Sequence, residues 1–367
     1  MLTKFAVKNY RGFSERIEWD LSHPNGYSFN AYAIKDGIVK NGIIYGPNGS
    51  GKTNLGLAIF DIVNHLTQKF KKTGYYDNFV YAGTPSALVD FEYTFCFDGL
   101  IVQYDYSKAV TGNLINERML VEGNEIFSRR GKDLHIDKTV FPMDAAFIDN
   151  LKHNANNVSI VNVLLLSFPL DKSSFLLKLR DFVNGMLWFR NLDIREFIGL
   201  ETGVYLLDEF IIKKDLVNDF ASFLKSVSGQ EFTFAKHNKN DKNLMCEYNG
   251  KRIGFDVIAS TGTHALMLLY FWLQKMKDAT FVFIDEFDAF YHYELSLEVC
   301  RRLFLLDCQV FTSTHNTFLM TNELLRPDCY FILDKNTIRS LHSSTGKELR
   351  IGHNLEKMYR ANAFSAL

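Results

Sequence analysis

The stretch GIIYGPNGSGKTNLGLAIF, Gly42 to Phe60, decides how the rest of the chain is read. Ile43, Ile44 and Tyr45 form a short apolar run of strand character. The segment GPNGSGKT at 46–53 then fits the pattern G-x-x-x-x-G-K-[ST] through Gly46, Gly51, Lys52 and Thr53. Glycines let backbone N–H groups turn inward around a phosphate with no Cβ in the way. Lys52 adds a point charge suited to bridging β- and γ-phosphates, and the Thr53 hydroxyl suits Mg²⁺. Beyond the loop, Leu55, Ala58, Ile59, Ile62, Val63 and Leu66 recur at three- and four-residue spacing. That is one apolar helical face, and the helix would aim its positive end at the same anion. The candidate contacts to a bound nucleoside triphosphate are Gly46, Asn48, Gly49, Ser50, Gly51, Lys52, Thr53 and Asn54.

Three later segments bear on the same chemistry. FVFIDE at 281–286 is an apolar strand ending in two carboxylates. Asp285 is the candidate metal ligand beside Thr53, and Glu286 is placed to orient and activate water. STGTH at 260–264 precedes the apolar helix HALMLLYFWLQKM. Ser260 can cap that helix and Gly262 opens its backbone, a combination that also binds phosphate. TSTH at 312–315 ends another buried strand, CQVFTSTH, so His315 is a candidate partner of the γ-phosphate or of the attacking water.

Around these motifs, apolar runs alternate with helices, which predicts an α/β fold with a mainly parallel sheet covered on both faces. Leu2, Phe5 and Val7 alternate with Lys4 and mark a first strand ending near Lys8. LVDFEYTFCFDGLIVQYDY at 88–106 reads as two strands about Asp98-Gly99. From about Asn150 the pattern turns helical: one stripe runs through Phe175, Leu179, Phe182, Val183 and Met186. Another runs through Leu207, Phe210, Ile211, Val217, Leu224 and Val227. We therefore divide the chain into an N-terminal lobe (1–149), a mainly helical insertion (150–258) and a C-terminal lobe (259–367).

Bulk composition excludes several classes. A net charge of −1 is not that of a surface gripping nucleic acid or anionic lipid as a whole. Basic clusters at 69–72, 129–132 and 213–214 are small and read as solvated. The apolar run ALMLLYFWL at 265–273 is shorter than the about 20 residues a bilayer requires. Five scattered cysteines without a CxxC pair fit a reduced, cytoplasmic protein. Thirty-three phenylalanines promise an aromatic interior.

The order of motifs resembles the ATP-binding-cassette ATPase core. It is most similar to the RecF/SMC/OLD-like branch and to ATPases of bacterial abortive-infection and anti-phage systems. The residues carrying this are KNYRGF (8–13), GPNGSGKTNLGLAI (46–59), LINERMLVEGNEIFSR (114–129), ASTGTHAL (259–266), FIDEFDAFYH (283–292) and TSTHN (312–316). The resemblance implies an ABC-type P-loop ATPase head with a helical insertion, binding ATP and Mg²⁺. It further implies a head-to-tail sandwich in which Ser260 and Gly262 reach the γ-phosphate held by a second copy. Arg11 would touch phosphate, Glu286 would be the catalytic base, His315 the switch histidine, and Asp288 would lie on an acidic loop crossing between subunits. Three departures stand out, the third being the glutamine loop. STGT replaces the SGGQ typical of transporters, and Tyr293 follows His292 where relatives often carry proline. Gln103 and Gln68 are the candidates for a glutamine loop, and neither stands out.

The insertion lacks heptads for SMC-like arms, and the segment after His315 lacks an acidic cluster for two metals. The expectation is thus an ATPase sensor or scaffold of an anti-phage complex acting on a separate effector, a nuclease or toxin. Alternatives are a RecF-like ATPase with DNA as a further partner, and a scaffold that binds ATP with little turnover.

Overall fold

The computed structural model describes residues 1–67, 69, 74–154, 158–190, 197–200 and 206–364. Gln68 lies outside them, as do residues 70–72 of the first basic cluster. Two seven-stranded sheets organise the chain.

The first sheet is antiparallel throughout, in the spatial order Asp133–Ile136, Asn124–Arg130, Leu114–Val121, Leu100–Ala109, Leu88–Phe97, Leu2–Lys8, Ile17–Asp20. Its hairpins turn where positive φ is tolerated. Asp98 and Gly99 sit at φ 53° and 87°, and Glu122 and Gly123 at 48° and 78°. Both central residues left-handed is the turn that matches strand twist. Leu88–Phe97 alternates buried and half-buried residues along its whole length, as a strand with one covered face should.

The second sheet is mixed and mainly parallel, which agrees with the reading from sequence. Its order is Phe197–Gly199, Met186–Arg190, Phe281–Asp285, Gln309–Ser313, Asn41–Tyr45, Tyr330–Asp334, Thr337–Ser340. The five inner strands run parallel and the two edge strands antiparallel. Asn41–Tyr45, Phe281–Asp285 and Gln309–Ser313 are buried at every residue.

The sheets are joined through side chains of both. Trp19 of the first packs edge-on against Phe311 of the second, ring centroids 4.6 Å apart. The Gln309 amide accepts from Leu2 N (2.7 Å) and donates to Leu2 O (2.9 Å) and Val39 O (3.1 Å). This satisfies backbone groups that would otherwise be buried unpaired.

Three helical expectations change in detail. The apolar face from Leu55 to Leu66 belongs to two short helices, Lys52–Ile59 and Asp61–Leu66, broken at Phe60. The break places Asp61, fully buried, against Lys108 and Tyr106 of the antiparallel sheet. The stripe of 207–227 is likewise split into Leu207–Lys213 and Val217–Ser228, with Asp215 at φ 58° between them. Met186, grouped with a helical stripe, instead opens the strand Met186–Arg190, because the helix Phe175–Asn184 ends at Gly185. That strand lies inside the parallel sheet beside Phe281–Asp285.

The cluster at 129–132 also differs from a solvated patch. Arg129 is 7% exposed and pairs with buried Glu117 at 3.0 Å. Among the described residues, no helix is long and apolar enough to cross a membrane.

Candidate nucleotide site

The strand Asn41–Tyr45 delivers the chain into the loop, and the helix Lys52–Ile59 leaves it. Gly49 and Gly51 adopt φ 77° and 101°, where an L side chain is strained. A Cβ on Gly46 would come within 2.5 Å of Leu333 O and of Ser50 Oγ, so only glycine fits there. Ser50 Oγ is buried with no hydrogen-bond partner among the described residues, an acceptor or donor left for a ligand. Lys52 is 6% exposed, and its ammonium curls back onto Gly46 O (2.9 Å) and Pro47 O (3.3 Å). Burial pushes its pKa down, against the pull of Asp285 and Glu286. Carbonyl oxygens offer this ammonium only partial negative charge, whereas a triphosphate would offer full charge.

The metal-ligand candidates meet. Thr53 Oγ1 donates to Asp285 Oδ2 at 2.7 Å, and Asp285 is fully buried. A hydroxyl and one carboxylate are hard oxygen donors of the kind Mg²⁺ takes alongside phosphates. Among the described residues, no group of three or more His, Cys, Asp or Glu could hold a metal ion on its own.

The end of the strand Gln309–Ser313 and the residue after it, Thr314, hold the acids in place. Ser313 Oγ donates to Asp285 Oδ1 (2.6 Å) and accepts from Glu286 N (2.9 Å). Thr314 Oγ1 donates to Asp288 Oδ1 at 2.6 Å. Burial raises the Asp288 pKa while that hydroxyl lowers it. Glu286 sits at φ 49°, a left-handed backbone unusual for glutamate and of a kind found at functional turns. His315 is exposed overall, and its pKa is lowered by partial desolvation and then by Lys52, with Glu286, Asp288 and Asp285 pulling the other way. The fold thus gathers Lys52, Thr53, Asp285, Glu286, Asp288 and His315 at the carboxyl edge of the parallel strands, where open α/β sheets bind ligands.

Among the described residues, no hydrogen bond joins the other candidates to the loop. Ser260 caps the helix Thr261–Lys275, accepting from Thr263 N at 3.2 Å. Gly262 lies against the backbone of the acid-bearing turn, where a Cβ would meet Phe290 O at 3.0 Å. Arg11 is at φ 47° with its guanidinium beside the Tyr10 ring, 5.5 Å from the centroid. Its neighbours do reach the loop. A Cβ on Gly51 would strike the Phe13 ring at 2.8 Å, and one on Gly12 would lie 3.5 Å from Asn54. Gln103 belongs to the antiparallel sheet, on the strand Leu100–Ala109.

Two site residues were not singled out from sequence. Ser313 was visible only as part of TSTH. Arg190 ends the strand next to Asp285 and donates through Nε and Nη2 to Asp285 Oδ2, both at 3.2 Å. Nothing in WFR at 188–190 announces this, because the partner lies 95 residues away.

No family model matches the chain, and no curated protein matches it. Solved structures do. An SMC head domain from Thermotoga maritima matches at 16% identity and TM-score 0.46, covering 92% of this chain and 97% of that one. A Pyrococcus furiosus Smc head with an extended coiled coil, bound to the C-terminal domain of ScpA, matches at 12% and 0.45, covering 93% and 96%. The recombination mediator RecF with ATP matches at 14% and 0.38, covering 93% and 99%. With identities this low, the functional reading rests on the chain's own residues: a glycine-rich loop beside half-buried Thr53, which bonds to buried Asp285.

Proposed function

We propose that the chain is an ATP-binding and ATP-hydrolysing P-loop ATPase of the ABC type. The observation that carries this is the 2.7 Å bond between Thr53 Oγ1 and Asp285 Oδ2 directly below the loop that holds Lys52. In this reading Lys52 binds the β- and γ-phosphates, and Thr53 and Asp285 hold Mg²⁺, which supplies charge neutralisation at the phosphates. Gly46, Asn48, Gly49, Ser50, Gly51 and Asn54 line the cradle. Glu286, positioned by Ser313, accepts a proton from the attacking water, and His315 orients the γ-phosphate.

Ser260 and Gly262 complete the site of a second copy. Ser260 is exposed and Gly262 half-buried in one chain, and neither is bonded to its own loop among the described residues. The exposed aromatics Phe290 (38%), Tyr293 (39%) and Phe318 (57%) adjoin the same face and suit burial on self-association. Arg11 is proposed as a further phosphate contact on the strength of Gly12 and Phe13 abutting the loop. The finer reading is a cytoplasmic sensor or scaffold of an anti-phage complex, whose ATP-dependent assembly restrains or releases a separate effector.

Native mass measurement with and without Mg·ATP tests this. Wild type is expected to form nucleotide-bound dimers or larger assemblies, Glu286→Gln to accumulate them, and Lys52→Ala to remain apo and monomeric. Turnover by Lys52→Ala at the wild-type rate would refute the ATPase assignment. Adding the product of the neighbouring gene tests the effector: a complex whose stoichiometry ignores ATP would refute control through assembly.

A further inference from the structure

Arg190 occupies a position that the chemistry of the site does not require. It is the last residue of Met186–Arg190 and lies in register with Asp285, the last residue of the adjacent parallel strand. Neighbouring strands run about 4.8 Å apart, so the two side chains leave the sheet edge together. Nε and Nη2 both donate to Asp285 Oδ2 at 3.2 Å, and Nη2 also approaches Thr53 Oγ1 at 3.3 Å. The guanidinium therefore lies over the same two oxygens that would take a divalent cation.

Asp285 has little capacity left. Oδ1 accepts from Ser313, and Oδ2 accepts from Thr53 and twice from Arg190. A carboxylate offers about four acceptor sites in all. A cation binding Oδ2 at about 2.1 Å must displace a donor, and the donor of like charge is the one repelled.

Resting on the ATPase reading above, we propose that Arg190 is a built-in counter-ion of the metal site. It neutralises buried Asp285 when no divalent cation is present and yields the oxygen when one arrives with nucleotide. The incoming phosphates give the released guanidinium a new anionic partner. Arg190 thereby makes metal loading depend on nucleotide: the cation alone competes with arginine, and the cation with nucleotide does not. Arg190 is a positioning residue rather than a catalytic one.

The test is Mn²⁺ binding followed by electron paramagnetic resonance, with and without saturating ADP, in wild type, Arg190→Gln and Arg190→Lys. Wild type is expected to bind Mn²⁺ poorly alone and at least about tenfold more tightly with ADP, the scale of a lost charge-assisted pair. Arg190→Gln is expected to bind Mn²⁺ alone about tenfold more tightly than wild type, shrinking the effect of ADP. Arg190→Lys is expected to lie near wild type. Thermal unfolding gives a second readout: Mn²⁺ without nucleotide should raise the midpoint of Arg190→Gln more than that of wild type. Equal or weaker Mn²⁺ affinity in Arg190→Gln, with ADP still binding, overturns the counter-ion role and leaves the ATPase reading standing. Failure of wild type to bind ADP at all overturns both.

Discussion

The two sheets treat charge in opposite ways. In the parallel sheet, the three central strands are buried at every residue, and charge stands at the carboxyl ends, where Arg190 and Asp285 close neighbouring strands. In the antiparallel sheet, three charged strand residues, Lys108, Glu117 and Arg129, are buried. Lys108 pairs with Asp61 at 2.7 Å, and Arg129 with Glu117 at 3.0 Å. Tyr106 donates to Asp61, and Tyr104 and Ser159 donate to Glu117. The first arrangement leaves charges where a ligand can reach them. The second uses charges to fix one element against another. Asp61 begins the helix that follows Lys52–Ile59, so the Lys108 pair ties the glycine loop and its helix to the antiparallel sheet. Tyr93 reinforces the tie by donating to Ala58 O and Ile59 O.

Substitutions separate the two roles. The largest effect is expected for Glu286→Gln: turnover falls about 10²–10⁴-fold, the range of a lost general base. Its unfolding midpoint should match wild type, since the side chain is half-buried at a ligand edge. A steady-state phosphate-release assay beside a denaturation curve checks both.

Lys108→Met should do the reverse in kind. It strands the Asp61 carboxylate in the interior and is expected to cost about 3–5 kcal/mol of unfolding free energy in urea. Adding Asp61→Asn should recover part of that loss, because no charge is then left unpaired. If Lys108→Met is as stable as wild type, the buried pair does not anchor the loop.

Ser313→Ala lies between the two roles. It removes a buried hydroxyl serving Asp285 and Glu286 N, so a loss of about 1–3 kcal/mol is expected, together with slower turnover. Slower turnover without lost stability would place Ser313 with the ligand edge alone.

The smallest effect concerns pH. His65 stacks on Tyr106 with centroids 4.1 Å apart, and its Nε2 lies 2.6 Å from Tyr104 OH. The Tyr104 hydroxyl donates to Glu117, so Nε2 carries the proton of a neutral ring. Burial, then Lys108 and Arg129, hold its pKa well below 6.5. The unfolded chain therefore binds the extra proton first as pH falls. Stability contributed by the neutral ring is complete above about 6.5 and declines below it, by at most about 1.4 kcal/mol per pH unit. Urea unfolding of wild type and His65→Gln between pH 7 and 5 should show a shallower decline in the variant. Parallel curves would exclude His65 as a source of the pH dependence.

The sequence by itself determined the strand–loop–helix at 41–59, the strand ending in Asp285 and Glu286, and the long helix capped by Ser260. Each depends on neighbours in the chain: apolar runs set by burial, glycines set by φ, a cap set by the first turn. Only the tertiary structure decided that Arg190 meets Asp285, that Ser313 braces both acids, and that Lys108 and Arg129 are interior. Those contacts follow from strand order and register, which bring together residues far apart along the chain. A local pattern specifies that a strand forms and which face it buries. Which strand lies beside it is settled by the packing of all of them together.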